Sequence, residues 1–257
     1  MFNIMASVTP IVPNKSNIAY IFDVDGTLTP SRLRIDQSFG KFFTGVCSNH
    51  DVFIVTGSDK EKTVEQIGKE IYNLSVRTFN CSGNDVWEQD NNLHTNDWQL
   101  PNDCKMQLDI ELVESDFPTR TGLHLDTRPG MVNFSIIGRG CTRDQRAEYI
   151  KWDEARNERE QIMDRFNAIF SGKYDIEANI GGETGIDIMP IGKDKRQILD
   201  CFANYDSIVF FGDSTYPGGN DYSLANAISV SERGITYQVE GWQKTRDILT
   251  QILFLHK

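Results

Sequence analysis

The 257-residue chain has no run near the ~20 consecutive apolar residues of a membrane-spanning helix. Its start, MFNIMASVTPIVPNKSN, lacks the charged opening and apolar block of a secretory leader. The expectation is therefore a cytoplasmic protein, with no membrane partner. Pro10 and Pro13 among polar neighbours suggest a short loose arm before the first strand. Cysteine is sparse: Cys47, Cys81, Cys104, Cys141 and Cys201 are odd in number and never spaced as CxxC. That argues for free thiols in a reducing compartment and against a zinc ribbon. Without a leader, the Asn-X-Ser triplets at Asn14, Asn73, Asn80 and Asn133 read as chance. Basic residues are outnumbered, 26 Lys and Arg against 37 Asp and Glu, and a net charge of −11 offers no basic face to nucleic acid. There is no internal repeat, no low-complexity segment and no P-loop. GRGCTR begins like a dinucleotide loop, but Arg143 stands where the third glycine belongs.

What the chain does have is an alternation of apolar runs and amphipathic stretches. Ile18–Phe22 reads as a buried strand ending in Asp23 and Asp25. The spacing of Ile35, Phe39, Phe42, Phe43 and Val46 predicts a helix buried on one face. A strand follows over Asp51–Val55, then a helix from about Lys60 to Tyr72, then a strand near Ser75–Asn80. This βαβαβ order argues for a parallel, doubly wound sheet with its ligand site at the strand C-termini. The pattern then changes. Asn91–Pro118 is polar with a helix near Cys104–Leu112, and two strand pairs flank a charged helical stretch over Thr142–Phe170. The pairs are Gly122–Arg128 with Met131–Gly138, and Tyr174–Ile180 with Gly185–Met189. From Lys193 the α/β pattern returns: a helix over Lys195–Asn204, the strand Ser207–Phe211 ending in Gly212 and Asp213, the loop STYPGGND, and a closing strand and helix. The expected architecture is α/β: a doubly wound, Rossmann-like core over 1–90 and 191–257, with an inserted α+β cap over 91–190.

The carboxylates carry the chemistry. Asp23, Asp25 and Asp213 all fall at the ends of strands predicted to lie side by side. Converging there, they repel one another and stay partly protonated unless a cation joins them. Mg²⁺ suits such a site, as a hard ion that prefers oxygen ligands. An aspartate can also attack phosphorus and become an aspartyl-phosphate. A lone DxDG is more often an Asp-Gly turn, but the second GD after a buried strand, with Lys195 between, weighs against that. Thr56, backed by Gly57 and Ser58 at a helix start, and Lys195 supply a hydroxyl and a compact positive charge for phosphate oxygens. Taken singly, either residue is more often a helix cap or a surface lysine. Arg128 and Arg139 fall at neighbouring positions of one predicted strand pair, and a guanidinium suits a phosphate oxyanion. Arg143, Arg156 and Arg159 read as solvated faces.

Together, DVDGT, the strand-final Thr56, Lys195 and GDxxxPGGND resemble the four motifs of the haloacid dehalogenase superfamily of phosphotransferases. FDVDGTLTPSR, VTGSD, RPGMVNFSIIGR with Arg146 following, GGETGIDIMP and FFGDSTYPGGND resemble more narrowly the eukaryotic-type phosphomannomutases, from about Ile18 to the last helix. The resemblance implies Asp23 as nucleophile and Asp25 as general acid/base. It implies Mg²⁺ held by the Asp23 carboxylate, the Asp25 backbone carbonyl and Asp213, with Asp221 supporting through water. It implies a substrate contact for Arg32 near the hinge, a distal-phosphate grip by Arg128, Arg139 and Arg146, and a sugar-hydroxyl contact for Asp187. It further implies a phosphosugar substrate, a hexose 1,6-bisphosphate activator and a homodimer through the caps. The chain departs from the family pattern at Gly185, where serine is usual, at Ser214, where lysine is usual, and across Ser82–Leu93.

The expected function is a Mg²⁺-dependent mutase moving phosphate between O6 and O1 of a hexose, mannose by resemblance. A sugar-phosphate phosphatase shares the same core motifs but has no need of a second phosphate clamp. A non-catalytic sugar-phosphate sensor would require a lost catalytic group, and none is lost.

Overall fold

A computed structural model describes residues 11–254; most of the expected N-terminal arm lies outside the described residues. The chain divides into two compact units, one comprising 11–95, 194–217 and 221–254 of the described residues, the other 96–193 and 218–220.

The first unit is built on a seven-stranded sheet. Its parallel strands are β1 (Ile18–Phe22), β2 (Asp51–Val55), β3 (Arg77–Asn80), β10 (Ser207–Gly212) and β11 (Gly234–Gln238). Strands β4 (Asp85–Glu88) and β5 (Asn91–Thr95) extend one edge antiparallel, giving the order β11-β10-β1-β2-β3-β4-β5. β1 and β2 read as near-continuous apolar runs because helices cover both faces of the sheet. The alternation of side chains sorts them between two cores. Ala19, Ile21, Phe53, Val55 and Phe210 pack on one face with Phe202, and Tyr20, Phe22, Val52, Ile54 and Phe211 pack on the other with Phe39 and Phe43. From β1 the chain builds outward through β2 and β3, then returns to add β10 and β11 on the opposite side. That reversal places a topological switch point between β1 and β10, where the strand ends open a crevice.

Helix α1 (Gln37–Asn49) starts at Asp36, whose carboxylate accepts from the Ser38 and Phe39 amides, and buries Phe39, Phe43 and Val46. The single helix predicted over Lys60–Tyr72 is two, α2 (Lys60–Ile67) and α3 (Lys69–Leu74). They are broken at Gly68, whose φ of 82° only glycine adopts readily. The expected core boundary at residue 90 falls between β4 and β5. That hairpin was not predicted because β5, Asn-Asn-Leu-His-Thr, is a polar edge strand with little apolar alternation. The helix predicted over Lys195–Asn204 is a 3₁₀ segment, Lys195–Phe202. Helices α7 (Tyr222–Val230) and α8 (Trp242–Phe254) complete the unit.

The second unit joins the two predicted strand pairs into one antiparallel sheet of order β6-β7-β9-β8. Its strands are β6 (Leu125–Arg128), β7 (Met131–Phe134), β8 (Ile176–Gly181) and β9 (Gly185–Pro190). Its helices are α4 (Asn102–Glu114), α5 (Arg143–Arg156) and α6 (Glu158–Tyr174), packed through Leu108, Tyr149, Ile162, Phe166 and Phe170 onto Val132, Phe134, Ile186 and Ile188. α5 opens on a reciprocal capping box between Thr142 and Gln145, and Asn157 in the left-handed region ends it, splitting the predicted Thr142–Phe170 stretch.

Phe53 is fully buried in the central strand β2, edge-on to Phe202 with ring centroids 4.8 Å apart and to Tyr205 at 5.7 Å. Phe53→Ala is expected to destabilise the protein by about 3–5 kcal/mol in urea unfolding. A change below about 1 kcal/mol would contradict this packing.

Candidate active site

The switch point gathers the predicted carboxylates. β1 delivers Asp23, which is buried and donates its backbone N–H to Phe211 O in the neighbouring β10 at 2.9 Å. β10 delivers Asp213. The turn after Asp23 is tight: the amides of Leu28 and Thr29 donate to Val24 O, and Gly26 N donates to Thr29 O. Gly26 is required there twice over, since its φ is +74° and a Cβ would overlap the Asp213 carboxylate. Asp221, fully buried at the start of α7, completes the group. One carboxylate oxygen from each of Asp23, Asp213 and Asp221 lies within 4.8 Å of the others. The predicted metal ligands Asp23 and Asp213 are thus brought together. Asp221, expected to act through water, stands in the same cluster, while the Asp25 side chain is not part of it.

Lys195 holds this group in place. Its ammonium, 1% exposed, donates to Asp23 Oδ1 and Asp221 Oδ1, each at 2.6 Å. Burial alone would lower the lysine pKa, but Asp221 and Asp23 together raise it, so the ammonium stays charged. Burial pushes the Asp23 carboxyl well up, with Lys195 pulling it down and Asp221 and Asp213 adding to the rise. Asp213 is pushed up to about 6, first by burial and then by Asp221. Three carboxylates against one ammonium leave an uncompensated formal charge of −2 when all are ionised. An all-oxygen donor set with that deficit fits a hard divalent cation.

Asp25 is held separately. Its Oδ1 accepts from the Arg32 backbone N–H at 2.5 Å and from Gln66 Nε2 at 2.8 Å. Gln66 sits on α2, 1% exposed, and also donates to Thr29 Oγ1 at 3.1 Å. No sequence signal marked Gln66; it is one polar residue in a helix whose predicted apolar stripe was Val64, Ile67 and Ile71. Arg32, predicted as a substrate contact, reaches the site through its backbone, in the left-handed region at φ 59°. Thr56 lies at the end of β2, 1% exposed, and its Oγ1 accepts from Ser58 N at 3.1 Å, which orients the hydroxyl. The turn Cys81–Gly83 braces this strand end, with Ser82 N donating to Thr56 O and Cys81 N to Ser58 O. Gln197, two residues past Lys195, donates to Ser82 O at 2.8 Å.

The second unit gathers the remaining predicted residues. Arg128 and Arg139 meet at one carboxylate: Asp126 Oδ2 accepts from Arg128 Nη2 at 2.6 Å and Nε at 3.1 Å, and Arg139 Nε lies 3.2 Å from the same oxygen. Arg146, on the first turn of α5, donates through Nε to Glu183 at 2.6 Å and through Nη1 to Thr184 Oγ1 at 3.4 Å. Asp187, on β9, accepts from Asn133 Nδ2 at 2.5 Å across the β7–β9 pair. Asn133, unmarked by the sequence beyond its chance glycosylation triplet, is buried and occupies the space a Cβ at Gly185 would take. Arg159 is not the solvated residue predicted. It pairs with Asp153 at 2.6 Å and donates to the carbonyls of Gly182 at 2.9 Å and Gly185 at 3.3 Å, fixing the turn that carries Glu183. Arg156 stacks 3.5 Å over the Trp152 ring.

The family model described as eukaryotic phosphomannomutase matches residues 39–255. A phosphomannomutase of Galdieria sulphuraria is 33% identical over 222 residues, covering 83% of this chain and 87% of its own. One of Drosophila melanogaster is 33% identical over 260 residues, covering 96% and 100%. Among solved structures, an IMP-bound, N-terminally truncated IMP-nucleotidase of Plasmodium falciparum superposes with a TM-score of 0.59 at 14% identity, over 98% of this chain and 70% of its own. That likeness concerns the fold alone. The strand-end carboxylates and their lysine thus stand in a haloacid dehalogenase-type core, and the chain belongs to the eukaryotic phosphomannomutase family.

Proposed function

We propose that the protein interconverts mannose 6-phosphate and mannose 1-phosphate through a phosphorylated Asp23 and a hexose 1,6-bisphosphate. The observation that carries this reading is Asp23 itself, a carboxylate at the β1/β10 switch point tied to a buried lysine and clustered with Asp213 and Asp221. The first unit is the catalytic core and the second the substrate-binding cap.

In the proposed reaction the Asp23 carboxylate attacks a phosphorus of the bisphosphate. The aspartyl O–P bond forms as the sugar O–P bond breaks, and the leaving sugar oxygen takes a proton from Asp25. Both donors to Asp25 engage Oδ1, so the exchanged proton is assigned to Oδ2. In the complementary step the free hydroxyl of a hexose monophosphate gives its proton to Asp25 and attacks the phosphoaspartate, forming the bisphosphate and releasing the Asp23 carboxylate. The bisphosphate then turns end for end and gives up its other phosphoryl group to Asp23. Lys195 opposes the effect of burial on Asp23, favouring its anionic form, and the oriented Thr56 hydroxyl donates to a phosphoryl oxygen. Asp23, Asp213 and the Asp25 carbonyl would hold Mg²⁺, with Asp221 supporting through water, and the bound ion would neutralise charge on the transferring phosphoryl group. Arg128, Arg139 and Arg146 take the substrate's second phosphate, and Asp187 takes a sugar hydroxyl.

A phosphatase with the same core remains the rival reading, and phosphorus NMR separates the two. With Mg²⁺, mannose 1-phosphate and catalytic hexose 1,6-bisphosphate, the 6-phosphate resonance is expected to grow. Inorganic phosphate without 6-phosphate would overturn the mutase reading in favour of hydrolysis. The metal assignment has a thermal test. Because the folded-state pKa of Asp213 is raised, its contribution to stability is present below about pH 4 and is lost as pH rises through about 6. Mg²⁺ needs the ionised form, so the increase in Tm on adding it is expected to be small at about pH 5 and to grow by about pH 7.5. Asp213→Asn is expected to abolish the increase. An increase that is independent of pH and survives Asp213→Asn would rule out this ligand set.

A further inference from the structure

The three arginines assigned to the second phosphate are already engaged by carboxylates of the cap itself. Asp126 and Arg128 stand two apart on β6, so their side chains share a face of the sheet. Asp126 Oδ2 receives Arg128 through two nitrogens, at 2.6 and 3.1 Å, with Arg139 Nε at 3.2 Å. One anionic oxygen between two guanidiniums is the arrangement a phosphate oxygen would adopt there. Arg146 carries its own counterion in Glu183, at 2.6 Å, on the turn that Arg159 fixes through the carbonyls of Gly182 and Gly185. The guanidiniums are 10%, 18% and 20% exposed, so both the pairs and an arriving phosphate sit in a partly desolvated setting where charge interactions are stronger than in water.

Resting on the mutase reading, we infer that Asp126, with Glu183, is an internal competitor for the phosphate clamp, a pair of positioning residues that hold the arginines ready and weaken their grip. Three guanidiniums alone would present a charge of +3 to a phosphate dianion. With the two carboxylates the cluster presents +1, and each carboxylate stands ready to take its arginine back as the phosphate leaves. A phosphatase gains nothing from such a device. A mutase does, because its bisphosphate intermediate must leave the clamp, turn end for end and bind again, and too tight a grip would trap it.

The test is bisphosphate binding and turnover by the full-length protein with Mg²⁺. Affinity for hexose 1,6-bisphosphate is measured calorimetrically in an Asp23→Asn background, so that no phosphoryl group moves, and kcat and KM are measured with Asp23 intact. Asp126→Asn is expected to tighten bisphosphate binding about three- to thirtyfold and to lower kcat and KM together. Glu183→Gln is expected to do the same to a smaller degree, since Glu183 is 45% exposed. Asp126→Glu, which keeps the charge, is expected to stay near wild type. A residue that only scaffolds the arginines would give weaker binding and a raised KM when neutralised. That outcome, or unchanged binding in both Asp126→Asn and Glu183→Gln, would overturn the inference. Arg139→Ala, measured alongside, isolates the parent reading. If it leaves bisphosphate affinity unchanged, the clamp assignment falls and the inference with it. If it weakens binding while the carboxylate variants do not tighten it, the inference alone falls.

Discussion

The Lys195 ammonium, buried between Asp23 and Asp221, is the contact on which the rest of the candidate site depends. Burying carboxylates at the mouth of a sheet is unfavourable without a positive partner at hydrogen-bond distance, and Lys195 serves two of them at 2.6 Å each. The fold is arranged to allow this. β1 and β10 lie side by side so that Asp23 and Asp213 emerge together, Gly26 leaves room for the Asp213 carboxylate, and the 3₁₀ segment carrying Lys195 packs Ile198 and Phe202 beneath the same sheet. One ammonium against three carboxylates still leaves the site short of positive charge. That deficit underlies the proposal of a cation and a phosphoryl group there.

A second charge arrangement, of opposite sign, occupies the second unit. There, arginines outnumber the carboxylates that pair with them, and the excess charge is +1. On the proposed reading the two clusters serve different parts of a phosphosugar complex: the negative one the metal, the positive one the far phosphate. The near balance of opposing charges around these arginines suits the proposed intermediate, which has to be held, released and held again.

Much of this was legible in the sequence, and the rest was hidden for identifiable reasons. Asp23, Asp213, Thr56 and Lys195 could be found because a buried parallel strand is a plain apolar run, and the residue that ends it marks the ligand side of the sheet. The βαβ order likewise carried the doubly wound core. Gln66 and Asn133 could not be found, since each is one polar residue in an otherwise ordinary element, and its role depends on a partner 41 or 54 residues away. Asp126 left a faint mark, an acid two positions from Arg128 on a predicted strand. The β4–β5 hairpin was missed because an edge strand needs no apolar alternation. The helix breaks at Gly68 and Asn157 depend on single left-handed residues, which periodicity does not register.

The central claim is that Asp23 becomes covalently phosphorylated, and mass spectrometry tests it most directly. The protein is mixed with Mg²⁺ and hexose 1,6-bisphosphate, quenched in acid and digested. The expected result is one phosphoryl group on the peptide containing Asp23, removable by hydroxylamine as an acyl phosphate and absent from Asp23→Asn. A phosphoryl group on another residue, or its persistence in Asp23→Asn, would contradict the assignment of the nucleophile.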